Sequence, residues 1–317
     1  MLSVRVASIR REAEEILSFE LVARDGQPLP PYTPGSHIDV HLAPGVTRQY
    51  SLCDAPGARE RYLIAVKREP NSRGGSRAMH DDVREGQTLQ IGAPRNNFAL
   101  AAAASHHLLV AGGIGVTPLL GMAQHLKTLG ASFELQYFTR SIEHAAFHDV
   151  LSGPEFRGKV AFHYALDPER VRAYLRKLLW RRREDAHLYL CGPRPFMDLV
   201  ETTAAPTWPP EAVHLEYFTA DPSALSGQRD AFEIVVASTG ATYTVPAEKS
   251  IVQVLGEQGT DVPVSCEQGV CGTCLTGVLE GEPDHRDVFL TDEEKRACDR
   301  MLLCVSRARS PRITLDL

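Results

Sequence analysis

Four cysteines near the C-terminal end constrain this chain more than any other feature of its sequence. Cys266, Cys271 and Cys274 follow the spacing C-x4-C-x2-C, and Cys304 comes after 29 intervening residues. Thiolates at this spacing bind a two-iron, two-sulfur cluster, with three ligands on one tight loop and the fourth on a separate strand or turn. The pattern therefore predicts a small domain built around a [2Fe-2S] cluster.

A structural zinc site is the alternative interpretation of the same cysteines. Such sites usually contain two CxxC pairs, whereas this loop contains only one. Gly269 and Gly272 also favour the cluster, because glycines in the loop let backbone N–H groups turn toward the sulfurs. Cys298 lies off the pattern, and we expect it within a helix.

Composition sets the remaining limits. The chain has 317 residues, of which 43% are apolar and 23% charged, so we expect about two globular domains rather than disorder. No window approaches the roughly 18 consecutive apolar residues that a membrane helix needs, and the charged N-terminus does not resemble a signal peptide. Seven cysteines, an odd number, do not suggest a disulfide framework. We therefore expect a cytoplasmic protein with no membrane association.

The negative charge is concentrated at one end of the chain. Residues 231–317 hold 14 acidic and 8 basic residues, which accounts for the whole net charge of −6, and the first 230 residues are balanced. This asymmetry indicates a separate acidic C-terminal module. It argues against binding to nucleic acid, which requires a basic face.

The pattern of apolar residues changes twice along the chain. Short alternating strands separated by turns fill the first hundred residues and predict an antiparallel barrel. From about residue 103, strands alternate with helices, which predicts a parallel sheet with crossovers. A polar stretch containing Pro, Gly and Ser then precedes the cysteine module and is typical of a linker.

Two motifs in the barrel region carry the chemistry of a flat, phosphorylated cofactor. Arg48, Tyr50 and Ser51 form an R-x-Y-S string at a strand end, offering a cation, an aromatic face and a small donor. Gly74 and Gly75 follow further along, where consecutive backbone N–H groups suit an anion. An ordinary turn is the alternative interpretation of the two glycines.

Two further motifs follow strands of the predicted parallel sheet. Gly112-Gly113-Ile114-Gly115-Val116-Thr117-Pro118 is a glycine turn that opens a helix, which suits a pyrophosphate. It departs from G-x-G-x-x-G because Pro118 replaces the third glycine. Cys191-Gly192-Pro193 follows another strand, and a buried small thiol before a turn is the alternative there.

Together these motifs resemble the phthalate dioxygenase reductase and vanillate O-demethylase reductase family, within the ferredoxin–NADP reductase superfamily. The resemblance implies three modules in the order flavin, nicotinamide and iron–sulfur. We expect an antiparallel Greek-key β-barrel for FMN, an α/β parallel-sheet domain for NAD(P)H, and an α+β plant-type ferredoxin (β-grasp) domain. We expect the FMN barrel over residues 1–102 and the NAD(P)H domain over 103–222. A linker over 223–230 then leads to the ferredoxin domain over 231–317.

The same resemblance implies roles for individual residues. Ser51, Thr117 and Cys191 are expected beside the reacting rings. The expected FMN contacts are Arg48, Tyr50, Ser51, Ala65, Val66, Lys67, Gly74, Gly75, Ser76, Thr117 and Phe218. Tyr217 competes with Phe218. The expected NADH contacts are Gly112, Gly113, Gly115, Thr117, Pro118, Arg140, Cys191, Gly192 and Pro193, with Asp167 as a ribose partner or a turn residue.

The choice of coenzyme stays open at Arg140, because an arginine there could bind the 2′-phosphate of NADPH; the family favours NADH. The resemblance implies a reductase that passes electrons from NADH through FMN and the cluster to a terminal Rieske non-haem iron oxygenase, and we expect a monomer. A reductase for a haem-thiolate monooxygenase is an alternative. A free flavin reductase would not need the four cysteines, and a redox sensor would not need the nucleotide motifs.

Overall fold

The structure is a computed structural model that describes residues 1–42, 46–57, 59–70, 74–219 and 230–317. The chain divides into two compact units, residues 1–216 and residues 217–317. The domain limits at 102, 222 and 230 stay predictions. Most of the expected linker, residues 223–229, lies outside the described residues.

The first part of unit 1–216 is a six-stranded antiparallel sheet. Its strands, in the spatial order β4-β3-β6-β1-β2-β5, are β1 (Leu2–Ala13), β2 (Ile16–Ala23), β3 (His37–His41), β4 (Thr47–Ser51), β5 (Arg61–Lys67) and β6 (Thr88–Ile91), with helix α1 (Gly75–Asp81) between β5 and β6. An antiparallel bridge between Leu52 and Ile64 joins the two outer strands. The predicted antiparallel Greek-key barrel is confirmed.

The second part of this unit is a parallel sheet with the order β11-β10-β7-β8-β9. The strands are β7 (His106–Gly112), β8 (Phe133–Thr139), β9 (Val160–Tyr164), β10 (Ala186–Cys191) and β11 (Val213–Glu216). The helices are α2 (Val116–Thr128), α3 (His148–Leu151), α4 (Pro168–Trp180) and α5 (Arg194–Ala204). Every residue of β7 is buried, as expected for a parallel strand covered on both faces.

The barrel and the parallel sheet share one apolar core, which explains why they form a single unit. Ala13, Cys53 and Phe98 of the barrel region are buried in the same cluster as the apolar face of α2. A side chain at Gly121 of α2 would bring its Cβ within 2.9 Å of the Leu52 carbonyl oxygen. Helix α2 therefore packs directly on the barrel wall.

Unit 217–317 is an α+β fold around a five-stranded sheet of order β13-β12-β18-β14-β16. Its strands are β12 (Phe232–Val236), β13 (Thr242–Val245), β14 (Leu275–Glu280), β15 (Pro283–Asp284), β16 (Arg300–Leu302), β17 (Arg307–Ala308) and β18 (Arg312–Leu315), with helices α6 (Ile251–Glu257) and α7 (Asp292–Ala297). Strands β12 and β18 are parallel, and β12 and β13 form an antiparallel hairpin. This arrangement confirms the expected ferredoxin-type module.

Capping residues fix where the helices of this unit begin. Ser250 and Gln253 form a capping box at the start of α6, and Thr291 and Glu294 form one at the start of α7. The expectation that Cys298 lies within a helix is wrong. Helix α7 ends at Ala297, and Cys298 takes the left-handed conformation with φ 53°, which ends the helix before β16.

Among the helices in the described ranges, none combines the length and the apolar character needed to cross a membrane.

Candidate cofactor sites

The four predicted cysteine ligands lie in one region of unit 217–317, which we call the cysteine site. Cys266, Cys271 and Cys274 occupy the loop between α6 and β14 and are 5%, 8% and 3% exposed. Cys304 lies in the turn after β16 and is partly buried. All four thiols are free of disulfides. The loop therefore holds three of the predicted ligands and the separate turn holds the fourth.

Two glycines give the loop its shape. Gly269 has φ +69° and Gly272 has φ +75°, a conformation that other residues rarely adopt. A Cβ at Gly272 would lie 2.3 Å from the ring of Phe289, and one at Gly269 would lie 2.6 Å from Val305. The loop is therefore packed against its surroundings at both glycines.

The thiols of the cysteine site are arranged two by two. Cys266 donates a hydrogen bond to Cys271, which lowers the pKa of Cys271 to about 5 and raises the pKa of Cys266. Cys304 donates to Cys274 in the same way and lowers the pKa of Cys274. No three His, Cys, Asp or Glu side chains of the described ranges are grouped to hold one metal ion. Two thiolate pairs are the donor set that two bridged irons require.

Backbone N–H groups point at these sulfurs. The N–H of Gln268 donates to Cys266 Sγ at 3.3 Å, and the N–H of Thr273 donates to Cys271 Sγ at 3.4 Å. The backbone N–H of Gly269 donates to the sulfur of Cys304, which lowers the pKa of Cys304. The Cys274 side chain and burial raise that pKa by more. Hydrogen bonds to the sulfurs stabilise thiolates and set the potential of a bound cluster, so these residues fit the predicted group.

The R-x-Y-S string forms strand β4 and places its arginine against α1. A Cβ on Gly75 would lie 2.3 Å from Cγ of Arg48, so the guanidinium stem crosses the start of that helix. Gly74 has φ +93° and open space around its Cβ position. The Ser76 hydroxyl accepts the N–H of Glu69 at 3.1 Å. The cation and the glycines are thus neighbours, as a phosphate site requires.

The other expected flavin contacts line strands of the barrel. Burial raises the pKa of Tyr50 on β4, so its hydroxyl stays protonated. On β5, Ala65 and Val66 are 5% and 2% exposed, whereas Lys67 forms an ion pair with Glu69 at 2.8 Å. Their roles as flavin contacts stay predictions.

A constellation that we call the junction site joins the barrel to the parallel sheet. Ser51 ends β4 and is 5% exposed, and Cys191 ends β10 and is fully buried. Glu216 ends β11, paired in register with Cys191. Burial raises the pKa of Glu216 to about 8, and a hydrogen bond with Ser51 opposes that rise. Two of these three residues were predicted from the sequence, and Glu216 was not.

One oxygen of the Glu216 carboxyl group has no hydrogen bond among the described residues. Its Oε2 atom is buried without a hydrogen-bond partner in the described part of the chain. Burial raises the pKa of the Cys191 thiol, and the Glu216 carboxylate raises it further. Both groups are therefore neutral at pH 7, and the site offers a protonated carboxyl, a thiol and a hydroxyl to a bound molecule. The sequence signal for Glu216 was an acidic residue ending an apolar strand.

The two nucleotide motifs touch each other through their backbones. A Cβ on Gly115 would lie 2.2 Å from the carbonyl oxygen of Cys191, and a Cβ on Gly192 would lie 3.0 Å from Cα of Gly112. These glycines are thus required for packing one turn on the other. Gly113, with φ +52° and open space at its Cβ position, is the glycine that faces away from this contact.

The first turn of α2 follows this contact. Thr117 is 2% exposed, and its hydroxyl donates to the Ile114 carbonyl at 3.0 Å. Pro118 lies in the same turn and is buried. Pro193 precedes α5 and lies 3.0 Å from the Cβ position of Gly112. Apart from Arg140, the expected nucleotide contacts are therefore gathered at the carboxyl ends of β7 and β10.

The remaining candidates have separate surroundings. Arg140 is 71% exposed and lies 3.8 Å from the carboxylate of Glu15 on the barrel hairpin. Asp167 is the N-cap of α4, where its side chain accepts the N–H of Arg170 at 2.9 Å, and its role as a ribose partner stays a prediction. Phe218 belongs to the other unit and is 38% exposed.

The chain is similar to known proteins both in its C-terminal unit and along its whole length. Residues 234–309 match the 2Fe-2S iron-sulfur cluster binding domain family. Over its whole length the chain is 46% identical to vanillate O-demethylase oxidoreductase of Pseudomonas sp. (strain HR199 / DSM 7063), all of which is covered.

Solved structures are also similar along the whole chain. Phthalate dioxygenase reductase, described as a modular structure for electron transfer from pyridine nucleotides to [2Fe-2S], is 40% identical, with 98% of it covered and a TM-score of 0.79. An intact type IV self-sufficient cytochrome P450 monooxygenase is 34% identical, with 41% of it covered and a TM-score of 0.83.

Proposed function

This chain belongs to the family of vanillate O-demethylase oxidoreductase and phthalate dioxygenase reductase, and from that premise we propose that it is the reductase component of a two-component aromatic oxygenase. It takes electrons from NADH through FMN and its [2Fe-2S] cluster, and it delivers them to a terminal Rieske non-haem iron oxygenase. We further propose that the protein is cytoplasmic and monomeric.

One observation carries this proposal. A single chain contains a junction site, at which a barrel strand meets the nucleotide turns of a parallel sheet, together with a cysteine site of two thiol pairs. A flavin reductase without a partner would need only the first site. A simple electron carrier would need only the second.

The residues around β4 and α1 fit a flavin mononucleotide. Arg48 would neutralise its phosphate beside Gly74 and Gly75, and Tyr50 would pack on its ring. Flavin supplies the exchange between two-electron and one-electron transfer that nicotinamide and a two-iron cluster cannot make between them. The protein's own contribution at the ring is Ser51, whose hydroxyl is held by the buried carboxyl of Glu216.

Glu216 and Cys191 would act on the bound rings through their positions beside them and through their lack of charge. A carboxyl with a pKa of about 8 stays protonated at neutral pH, so it adds no negative charge beside the rings. Cys191, fully buried, presents a neutral thiol where the nicotinamide is expected. Together they would keep the site dry and uncharged, which favours stacking of two flat rings.

The nicotinamide coenzyme would lie over the paired turns. Gly113 would allow its pyrophosphate to approach the backbone before α2, and Pro193 and Gly192 would border the ring. Arg140 is mostly exposed and faces Glu15, a carboxylate that opposes a second phosphate on the ribose. We therefore favour NADH over NADPH.

The acidic module would face the acceptor. Its charge of −6 over residues 231–317 suits a basic patch on the oxygenase, and such docking weakens as salt rises. The seven free cysteines suit a reducing compartment.

An anaerobic titration tests the proposal. The purified protein is titrated with NADH while its visible spectrum is recorded, and the released flavin is identified by mass. We expect FMN, and bleaching of flavin and cluster by about one and a half equivalents of NADH, because the chain stores three electrons. Bleaching by NADPH alone would contradict the choice of coenzyme, and an absent flavin would overturn the proposal.

A haem-thiolate monooxygenase is the second candidate acceptor. The observation that favours it is the similarity of this whole chain to part of a self-sufficient cytochrome P450. Turnover with a purified Rieske oxygenase and with a P450 haem domain, each supplied with the same NADH-reduced protein, separates the two candidates.

A further inference from the structure

His285 is the only histidine in residues 231–317, and it has no role in the functions considered so far. Its side chain is 7% exposed. Neither ring nitrogen makes a hydrogen bond of good geometry in the described part of the chain, although the Lys295 backbone lies close enough to act on the ring. A buried polar group without partners costs free energy, so its retention requires an explanation.

A buried carboxylate lies next to the ring. Nδ1 of His285 is 3.7 Å from Oδ1 of Asp287, whose side chain is fully buried. Oδ2 of Asp287 accepts the N–H of Leu290 at 2.8 Å, and Oδ1 accepts the hydroxyl of Ser306 at 3.5 Å. The carboxylate is therefore held in place beside the imidazole.

Asp287 packs on the loop of the cysteine site. A Cβ on Gly269 would lie 3.1 Å from Cα of Asp287, and the next residue, Val288, donates its N–H to the Gly269 carbonyl at 3.1 Å. The N–H of Gly269 in turn serves the sulfur of Cys304. The imidazole is thus linked through Asp287 and Gly269 to the sulfur of Cys304.

The charged groups around His285 come from three segments. Its own segment contributes Asp287 and the ion pair of Asp284 with Arg286 at 2.8 Å. Helix α7 contributes Lys295, whose Nζ donates to the Asp287 carbonyl at 2.9 Å. The segment after β17 contributes Arg309, which forms ion pairs with Glu282 at 3.1 Å and Asp284 at 3.8 Å.

Together these surroundings favour the neutral imidazole. Burial lowers the pKa of His285, and the Lys295 and Arg309 cations lower it further. The Asp287 carboxylate and the backbone at Lys295 oppose this, but the net direction is downward. A new negative charge nearby would favour the imidazolium form.

We propose that His285 takes up one proton from solvent for each electron that arrives at the cysteine site, and releases it when that electron leaves. The electron source rests on the proposed function. One electron and one proton enter together, so the charge of this module is unchanged. Compensation of this kind lowers the electrostatic cost of adding an electron to an acidic module.

A direct consequence is a pH-dependent reduction potential. Protonation of His285 favours reduction, so the potential is highest at low pH and falls as pH rises through the interval in which the imidazole titrates. Within that interval the equilibrium constant for one-electron reduction changes by up to tenfold per pH unit, so the reduction potential changes by up to about 59 mV per pH unit.

The test is a redox titration of the full-length holoprotein, monitored by the EPR signal of the reduced cluster. Dithionite with mediators supplies the electrons, so the outcome does not depend on NADH or on the flavin. Potentials are measured from pH 5 to 8, where histidine titrates, for wild type, His285→Gln and His125→Gln, a histidine variant in unit 1–216.

We expect a potential that falls with pH in wild type and in H125Q, and one that is independent of pH in H285Q. A flat wild-type profile would overturn the proposal, and so would an unchanged slope in H285Q. A protein without cluster EPR signal would instead indicate failure of the proposed function.

A second variant keeps the test decisive if H285Q loses its cluster. Lys295→Gln removes a cation that lowers the pKa of His285, so the interval of falling potential should move to higher pH. An interval that stays in place would contradict the proposal, because a purely structural imidazole would not respond to that charge.

Discussion

The cysteine site and the junction site are both assembled from distant parts of the chain, but they differ in what specifies them. Three of the four cysteine ligands lie within one loop, so their spacing alone predicts a metal cluster. Ser51, Cys191 and Glu216 come together only because β4 of the barrel meets β10 and β11 of the parallel sheet. Ligand spacing is local and visible in sequence, whereas a constellation of strand ends depends on packing.

The two sites also differ in how their side chains are used. The thiols of the cysteine site share protons in pairs, and bound irons would replace those protons. The groups of the junction site are neutral because they are buried. The first site therefore depends on covalent ligands, and the second depends on exclusion of water.

The largest effect is expected when one predicted cluster ligand is removed. Cys304→Ser should abolish the iron–sulfur absorbance and most of the bound iron, because metal binding of this kind is coupled to folding. Reduction of the flavin by NADH should persist, because it belongs to the other unit. Iron content and visible spectra of the purified variant provide the measurement.

Cys298→Ser is the matched control for that variant. Cys298 lies outside the two thiol pairs, and its Sγ donates to the Lys295 carbonyl at 3.4 Å. It should keep full iron. Equal loss of iron in both variants would contradict the assignment of ligands.

Gly115→Ala should damage the junction without touching the cysteine site. Its Cβ would lie 2.2 Å from the Cys191 carbonyl oxygen, so one of the two turns must move. We expect destabilisation of about 3 kcal/mol, the upper part of the range for overpacking, together with loss of NADH reduction. Chemical denaturation and NADH titration measure these effects.

Gly256→Ala is the corresponding control. This glycine lies in α6 with nothing within 4 Å of its Cβ position, so alanine should be neutral or stabilising by up to about 1 kcal/mol. Similar damage in both variants would mean that glycine content, rather than contact between the turns, explains the result.

Glu216→Gln tests the claim that the junction site is held neutral. The folded-state pKa of about 8 exceeds the ordinary value of 4.5, so between these values the folded state binds more protons than the unfolded state. Wild-type stability contributed by this group is thus lost as pH rises through the interval. The variant should not lose stability in this way, so above pH 8 its free energy of unfolding should exceed that of wild type by on the order of 2–4 kcal/mol.

Thermal unfolding at a series of pH values provides the measurement. Glu169→Gln, which changes a side chain that is 86% exposed, should follow the wild-type curve. A Glu216→Gln curve parallel to wild type would show that the carboxyl is ionised and solvated.

The smallest effect is expected at Arg140. Its pairing with Glu15 at 3.8 Å is exposed, and such pairs contribute roughly 0.2–1 kcal/mol. Arg140→Ala should change kcat/KM for NADH by less than about twofold, which corresponds to a free energy within that range. A wild-type preference for NADPH that disappears in the variant would contradict the choice of coenzyme.

The sequence was sufficient for the fold class and for the grouping of the four cysteines, because both depend on local motifs; the role of those cysteines as ligands stays a prediction. It missed Glu216, since an acidic residue at a strand end has no distinctive spacing. It also misassigned Cys298, because the left-handed residue that ends α7 is not a glycine. The glycines of the nucleotide turn were found, but their contact with Cys191 depends on tertiary packing.

The proposed electron-transfer chain is tested most directly by low-temperature EPR of the protein frozen after anaerobic addition of NADH. We expect the signal of a reduced two-iron cluster, approaching one spin per chain, in wild type and no such signal in Cys304→Ser, although flavin is bleached in both. Bleached flavin without a cluster signal in wild type would contradict the claim that the two sites form one electron-transfer chain.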